Sequence, residues 1–396
     1  MECFTESIVM AGLYIHIPFC RRKCLYCNFF SKVASAAEMK TYLADLNQEI
    51  FLRSRQKEWA ELNYTSVYFG GGTPSLLLPE EIAHLLNNLR QCFSISPPSE
   101  ITLEVNPDTV NREQFIALRE IGINRINIGI QSFQSRELKL LQRIHDEQRA
   151  KQCLLEARLA GFKNIGVDLI FGIPGQRLAD WQTNLSQALE FYPEHIATYG
   201  LTMEENTPLA RAVKTGGLSL CPEENERQMY LAAHSLLNAA GYEHYEISNF
   251  ARSTFRSQHN QLYWCGEKYL GLGASAHSFL GPTRSWNFAD LRQYHQRLTR
   301  HQLPIQATEQ LTREQQMLEF ILLGFRRKEG ISMVEFECRF KLNFFKYYQA
   351  VLEKLGVFNK KGKIRSHSQL LEYEHDYLRL TVEGFLVYDE ICAQFV

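Results

Sequence analysis

No stretch of this chain reaches the roughly 18 consecutive apolar residues that a bilayer-spanning helix needs, so an integral membrane protein is not expected. Charge of one sign is not in surplus either. The 43 Lys and Arg stand against 44 Asp and Glu, a net of −1, which removes the general electrostatic argument for nucleic acid or an anionic membrane as partner. The first residues lack the basic segment and following apolar run of a secretory leader, so the reducing cytosol is the expected compartment. Ten cysteines are then read as metal ligands or buried small hydrophobes rather than disulfides. The 396 residues allow one large domain and a smaller one. Met10 opens a string, MAGLYIHIPFC, that reads as a start, which leaves residues 1–9 as an expected disordered extension.

Three of the cysteines are concentrated. Tyr14 to Ser31 reads YIHIPFCRRKCLYCNFFS, with Cys20, Cys24 and Cys27 spaced C-x3-C-x2-C. Thiolates are soft ligands for iron–sulfur clusters or zinc. Three of them can hold three irons of a cubane and leave the fourth open to a small chelating ligand. A structural zinc would want a fourth ligand, and His16 is too close in sequence and sits in an apparent strand. An inert thiol cluster would not need Arg21, Arg22 and Lys23 among its sulfurs; such cations favour thiolate over thiol. The other seven cysteines, Cys3, Cys92, Cys153, Cys221, Cys265, Cys338 and Cys392, are scattered and fit buried apolar positions.

From residue 13 onward strand and helix patterns alternate. Strands are expected at 13–17, 66–70, 101–106, 125–130, 164–172 and 195–201, and helices at 37–56, 79–92, 111–119, 147–160 and 178–190. Six β-then-α units imply a parallel sheet with right-handed crossovers. Six fall short of a closed eightfold barrel, so the expected fold is α/β, an open partial (β/α)6 TIM-like barrel spanning 13–284 after an N-terminal extension 1–12. After it, helices at 289–300, 311–326, 332–340, 344–355 and 382–394, with a linker at 301–306 and a strand-like 372–381, suggest a C-terminal α+β, winged-helix-like cap at 285–396. It would cover the barrel mouth and exclude water. No basic cluster supports DNA binding there. Thr312 and Gln315 offer a capping box for the helix 311–326.

The unusual motifs follow strands, on the face where βα loops converge. Gly70-Gly71-Gly72-Thr73-Pro74 follows the second strand; glycines let backbone approach a ligand and present N–H donors, or form a tight turn with Thr73 as a helix cap. Glu104, in EVNP, is a carboxylate at the mouth that suits a ribose or an ammonium, or a solvated loop acid. Gln131, in GIQSFQ, and Arg143, in LLQRIH, suit a carboxylate or ribose. Asp168 sits in the apolar run IGVDLIFG. A buried carboxylate needs a partner, so a ligand or a core arginine must face it. Further on, His259, Asn260, Tyr263 and Trp264 form H-N-x2-Y-W. Imidazole is a common haem ligand and the aromatics offer flat faces to a macrocycle; a packed core turn with a hydrogen-bonded histidine is the plainer reading. His277, within a glycine-containing loop at 271–278, is a second, weaker candidate for iron or substrate contact.

C-x3-C-x2-C after a strand, followed by an aromatic segment, resembles the radical S-adenosylmethionine (SAM) superfamily. The longer string and the later motifs, which span nearly the whole chain, resemble its coproporphyrinogen dehydrogenase/HemW branch. The resemblance implies a [4Fe–4S] cluster on Cys20, Cys24 and Cys27 that binds SAM at its open iron and reduces it to a 5′-deoxyadenosyl radical. Position by position, it implies that Tyr14, Gly71, Gly72, Thr73, Glu104, Gln131, Arg143 and Asp168 contact SAM. Coproporphyrinogen III dehydrogenases, which decarboxylate propionates to vinyl groups, carry C-x3-C-x2-C-x-C and an N-terminal arm before the cluster. Here Phe29 replaces the fourth cysteine, and Cys20 leaves no room for the arm. HemW-type haem chaperones lack that cysteine and carry H-N-x2-Y-W; their usual aspartate after the third cysteine is Asn28 here. The resemblance therefore implies a haem chaperone with His259 as a haem ligand, delivering haem to apo-haemoproteins such as membrane respiratory cytochromes. It also implies an electron donor such as flavodoxin or ferredoxin, a monomer or dimer, and a cytoplasmic location with transient membrane contact. The dehydrogenase is the first alternative. A degenerate radical SAM fold acting only as a haem-binding module is the second.

Overall fold

Alternation of side chains along six strands decides this architecture. The computed structural model describes residues 10–358 and 368–396; the expected extension at 1–9 lies outside them. Strands β1 (Met10–Ile17), β2 (Asn63–Gly71), β3 (Ser94–Val105), β4 (Arg125–Gln131), β5 (Ile165–Phe171) and β6 (His195–Gly200) pair in that order, all parallel. Helices Ala36–Ser54, Pro79–Cys92, Arg112–Glu120, Glu147–Leu159 and Leu178–Leu189 return the chain between them. Successive strand residues point to opposite faces. One parity is apolar and buried against the helices: Leu13, Ile15, Val67, Phe69, Leu103, Val105, Ile126, Ile128, Val167 and Leu169 share a core with Leu46, Ile50, Leu85, Leu89, Phe115 and Leu185. Truncating one of these, Leu103→Ala for example, costs roughly 2–5 kcal/mol. The other parity carries Tyr14, Tyr68, Glu104, Asn127 and Asp168 toward the barrel interior. The same alternation that builds the core therefore lines the site.

The sheet extends beyond six strands at both edges. β9 (Lys268–Leu272) pairs parallel with β1, and β10 (His277–Leu280), β11 (Thr283–Asn287) and β12 (Ile305–Gln310) continue it antiparallel; at the far edge β8 (Asn249–Ala251) pairs antiparallel with β6 and carries β7 (Glu243–Glu246). The described parallel run is thus seven strands, and the barrel stays open between β12 and β7. The glycine-containing stretch 271–278, read as a loop, is partly strand. Gly271 permits it, since a Cβ there would fall 2.1 Å from the His277 carbonyl oxygen. The sheet also crosses the expected boundary at 284 and ends at Gln310, inside what was read as linker and cap. At the other end β1 begins at Met10, three residues before the expected edge at 13.

The C-terminal domain follows. Helix Arg313–Phe325 starts with the expected box: Gln315 N–H donates to Thr312 Oγ1 at 3.2 Å and Thr312 N–H to Gln315 Oε1 at 2.7 Å. Short helices pack with β13 (Ile331–Ser332), β14 (Leu371–Glu374) and β15 (Tyr377–Leu380), ordered β13-β15-β14 and antiparallel, which is the winged-helix-like arrangement expected. Phe336, Phe340 and Phe344 fill its centre, with ring centroids 4.9 and 5.0 Å apart. The domain docks on the barrel's edge: Ile247 N–H donates to Arg326 O and Lys328 N–H to Tyr245 O, both at 3.0 Å, and the Arg326 guanidinium lies 4.4 Å from the Trp264 ring centre, a favourable cation–π contact. Among the described residues no helix is long and apolar enough to cross a membrane.

Candidate cofactor site and its neighbouring cavity

The cysteine loop leaves β1 and is fastened at several points. Cys20 N–H donates to Lys32 O at 3.0 Å and Lys32 N–H to Pro18 O at 2.9 Å. Leu25 buries itself with Leu141, Ile170, Ile173, Leu201 and Leu209, and its carbonyl accepts Leu209 N–H at 3.0 Å. His16 adds a strut: its Nε2 donates to Phe30 O at 2.9 Å while Tyr14 Oη donates to its Nδ1 at 3.0 Å. Burial lowers the His16 pKa to about 4, so the ring is the neutral one this pattern needs.

Cys20, Cys24 and Cys27 line one wall of a cavity of about 500 Å³, which also touches Gly71, Gly72, Thr73, Glu104, Gln131, Arg143 and Asp168. Seven of the nine expected cofactor residues and all three expected metal ligands thus meet. Thr73 Oγ1 donates to Cys20 Sγ at 3.4 Å and Arg143 Nη1 to Cys24 Sγ at 3.4 Å. Arg143 is the cation bonded to a thiol. Of the cations between the cysteines, Arg22 and Lys23 line the same cavity, while Arg21 pairs with Asp108 at 3.5 Å. Burial raises the Cys27 pKa, and the Lys23 charge lowers it, as expected of a cation there. No three His, Cys, Asp or Glu side chains among the described residues close on a single ion position. A cubane spreads its cysteine ligands over separate irons, which asks only that the thiols share a wall.

The glycines serve packing more than donation. Gly71 has φ +111° and a Cβ there would lie 2.5 Å from the His16 ring; a Cβ on Gly72 would lie 2.7 Å from Phe19 O. Their N–H groups are already committed, Gly72 to Ile17 O at 2.9 Å and Gly71 to Glu104 Oε2 at 3.2 Å. Thr73 makes no helix cap through its side chain; its hydroxyl faces Cys20.

Glu104 is part of β3 rather than a loop acid. Tyr68 Oη donates to its Oε1 at 2.8 Å. Burial, with the nearby Asp168 charge, raises its pKa to about 7. Asp168 accepts from Asn127 Nδ2 at 2.7 Å through Oδ2, and burial raises its pKa to about 6. Its Oδ1 is buried without a partner, and so is Nε of Arg143. Arg143 otherwise donates to Asn106 Oδ1 and to Gly129 O at 2.7 Å. Asp168 and Arg143 both line this cavity and each keeps one buried polar atom without a partner; a carboxylate and a guanidinium on one cavity are the complement of a ligand carrying ammonium and carboxylate groups. Gln131 ends β4 with φ +70° at a register shift against β5, which turns it into the mouth. Tyr68, Asn106 and Asn127 were not singled out from sequence; Tyr68 and Asn127 hold the inward parity of their strands, which was the available signal.

Two expectations are corrected. Tyr14 does not line the thiol cavity; it lines a neighbouring one of about 530 Å³ with Asn28, Phe29, Tyr263, Trp264 and His277. His259 lines neither cavity. It lies 1% exposed in the helix Gln258–Trp264, with Nδ1 bonded to Ser66 Oγ at 2.7 Å and Nε2 to Tyr263 Oη at 2.8 Å. Its ring stacks on Tyr68 at 5.1 Å, and burial, then Arg125, lowers its pKa to about 3. A doubly bonded, enclosed imidazole has no lone pair for iron, so the plainer reading of this histidine fits. The C-terminal domain does not cover the thiol cavity either, since its lining runs from Cys20 to Glu204; Glu319 and Leu323 reach the neighbouring cavity instead.

An open parallel barrel with thiols at its mouth defines the class of radical SAM proteins, and the Radical SAM superfamily model matches residues 14–187. The HemN C-terminal domain model matches residues 311–387. The chain is 32% identical to Heme chaperone HemW of Bacillus subtilis, covering 98% of this chain and 99% of that protein. It is 33% identical to the mitochondrial Radical S-adenosyl methionine domain-containing protein 1 of Danio rerio over 97% and 86%. The solved structure of the Escherichia coli coproporphyrinogen III oxidase HemN superposes with a TM-score of 0.83 at 25% identity, over 98% of this chain and 90% of that one. The chain belongs to the HemW family of radical SAM proteins.

Proposed function

We propose that this protein is a radical SAM haem chaperone, which binds a [4Fe–4S] cluster, SAM and haem and passes haem to apo-haemoproteins. One observation carries the cofactor half: three thiols share a cavity with Asp168 and Arg143, each of which keeps one buried polar atom without a partner. Cys20, Cys24 and Cys27 would hold three irons. Asp168 and Glu104 would face the cationic part of SAM, Arg143 its carboxylate, and Gln131 its ribose or carboxylate edge. When bound, the cluster supplies one electron to the SAM sulfonium. The chain's own part is to hold Arg143 against Cys24, to keep two carboxyls in low dielectric until a cation arrives, and to shape the glycine turn around the cysteine loop.

The haem half draws on the HemW relatives and on Phe29, which takes the place of the dehydrogenases' fourth cysteine and stands 69% exposed between the two cavities. The acceptors would be haemoproteins such as membrane cytochromes, the reductant a flavodoxin or ferredoxin, the assembly a monomer or dimer, and the location cytoplasmic with transient membrane contact. The likeness to HemN favours coproporphyrinogen III dehydrogenase as the second reading. The two separate in one assay: with coproporphyrinogen III, SAM and a reductant under anaerobic conditions, the protein is expected to make no protoporphyrinogen while added haem gives a bound Soret band. Product formation restores the dehydrogenase.

A further inference from the structure

The neighbouring cavity lies beyond the wall that Asn28 and Phe29 form, since both residues line both cavities. Its lining is largely aromatic, with the carboxylates Glu267 and Glu319 and the cation Arg284 also on it. Tyr263 and Tyr269 meet edge to face at 4.6 Å, and Tyr269 stacks with Phe279 at 6.1 Å. Two histidines line it. His16 has both ring nitrogens bonded. His277, at the start of β10, is exposed, stacks on Trp286 at 5.7 Å and 22°, and bonds through neither ring nitrogen to another described residue. Arg284 stands on the same wall, 2.7 Å from Glu319 of the C-terminal domain and 5.8 Å from the Phe279 ring centre.

Flat apolar walls, a free imidazole and a guanidinium suit a ligand that is planar, apolar across its faces, anionic at one edge and able to bind nitrogen at its centre. We propose that haem enters this second cavity, with His277 as an iron ligand and Arg284 facing a propionate. The proposal rests on the haem-chaperone reading and adds a site to it. His259 becomes a positioning residue: four residues before Tyr263, it lies on the same face of its helix and holds the Tyr263 hydroxyl at 2.8 Å, so the motif builds the cavity's wall. Burial and the Arg284 charge lower the His277 pKa, the direction that favours the neutral, ligating form of the ring.

The test is a haem titration of the full-length protein, read by Soret absorbance and by the spin state of the iron. His277→Ala is expected to lose the imidazole-ligated spectrum and to bind haem roughly tenfold or more weakly, and added imidazole is expected to restore the spectrum. A merely structural role would show no such rescue. His259→Gln is expected to keep the wild-type ligation. Arg284→Gln is expected to weaken binding without altering the spectrum. A wild-type spectrum in His277→Ala overturns this site and leaves the chaperone reading standing, because haem is still bound. Wild-type protein that binds no haem overturns both.

Discussion

The thiol cavity and its neighbour share the Asn28–Phe29 wall and are built from opposite materials. The first is walled by strand ends and presents thiols, two carboxyls held above their usual pKa and a guanidinium. The second is walled by stacked rings, a free histidine and one partly paired arginine. The first suits a small zwitterion whose charges need partners; the second suits a large flat ligand whose faces need apolar contact. The contrast follows from origin. The thiol cavity is made by the βα loops of the parallel barrel, where inward parity delivers polar groups. The other is made where β9 to β11, the helix Gln258–Trp264 and the C-terminal domain meet.

Cys24→Ala offers the sharpest cut between the two. It removes the thiol nearest Arg143 and is expected to abolish the cluster's electron paramagnetic signal and its perturbation by SAM. Haem titration is expected to be unaffected. A surviving signal would refute the ligand assignment, and a lost haem spectrum would show that the cavities are not separable. Asp168→Asn comes next. It keeps the shape and removes the buried charge, so SAM affinity is expected to fall about tenfold or more, measured by calorimetry on reconstituted protein, again with haem binding unchanged. Unaltered SAM affinity would remove Asp168 from the site.

How far sequence carried the two cavities also differs. The thiol cavity was legible because most of its residues lie in or just after strands whose apolar alternation is clear, and position at the strand ends then fixes which residues converge. Parity was the unused clue: Glu104 was read as a carboxylate at the mouth with a solvated loop acid as the alternative, and its alternation with Leu103 and Val105 decides between them, since it points into the barrel. The cation that bonds a thiol could not be read from the cysteine loop, because contacts in space need not be near in sequence; Arg143 reaches Cys24 from 119 positions on. The second cavity was hardly legible. β9 to β11 are four or five residues long, too short for periodicity to declare them. A histidine motif also says nothing about whether its nitrogens are already taken, and for His259 they are.

Proton binding gives a third way to separate the cavities. Glu104 and Asp168 have folded pKa values raised to about 7 and about 6. A carboxyl raised on folding binds more protons folded than unfolded, so its effect on stability worsens as pH rises from its ordinary value to its folded one. The ligand-free protein is therefore expected to lose thermal stability between about pH 4 and about pH 7, with a smaller loss in Glu104→Gln. SAM, which supplies a cation, is expected to bind more tightly as pH rises through the same upper range and to release protons as it does so. Haem binding does not involve either buried carboxyl, so Glu104→Gln is expected to change the pH dependence of SAM binding and leave that of haem binding as in the wild type. A change in both pH dependences would merge the two sites energetically.

The smallest effect is expected at the wall itself. Phe29 is 69% exposed and contributes little to the core, so Phe29→Ala is expected to change stability by no more than about 0.5 kcal/mol. Its ring nevertheless lines both spaces, and removing it is expected to widen the passage between them. Each ligand alone is expected to bind Phe29→Ala nearly as it binds the wild type. Bound together they are expected to interfere, because a porphyrin edge and a nucleotide then compete for the space the ring had filled. The measurement is SAM affinity with and without saturating haem, in wild type and variant. Interference confined to the variant identifies Phe29 as the partition. Interference already present in the wild type means that the ligands touch across the wall, and none in either places haem away from this cavity.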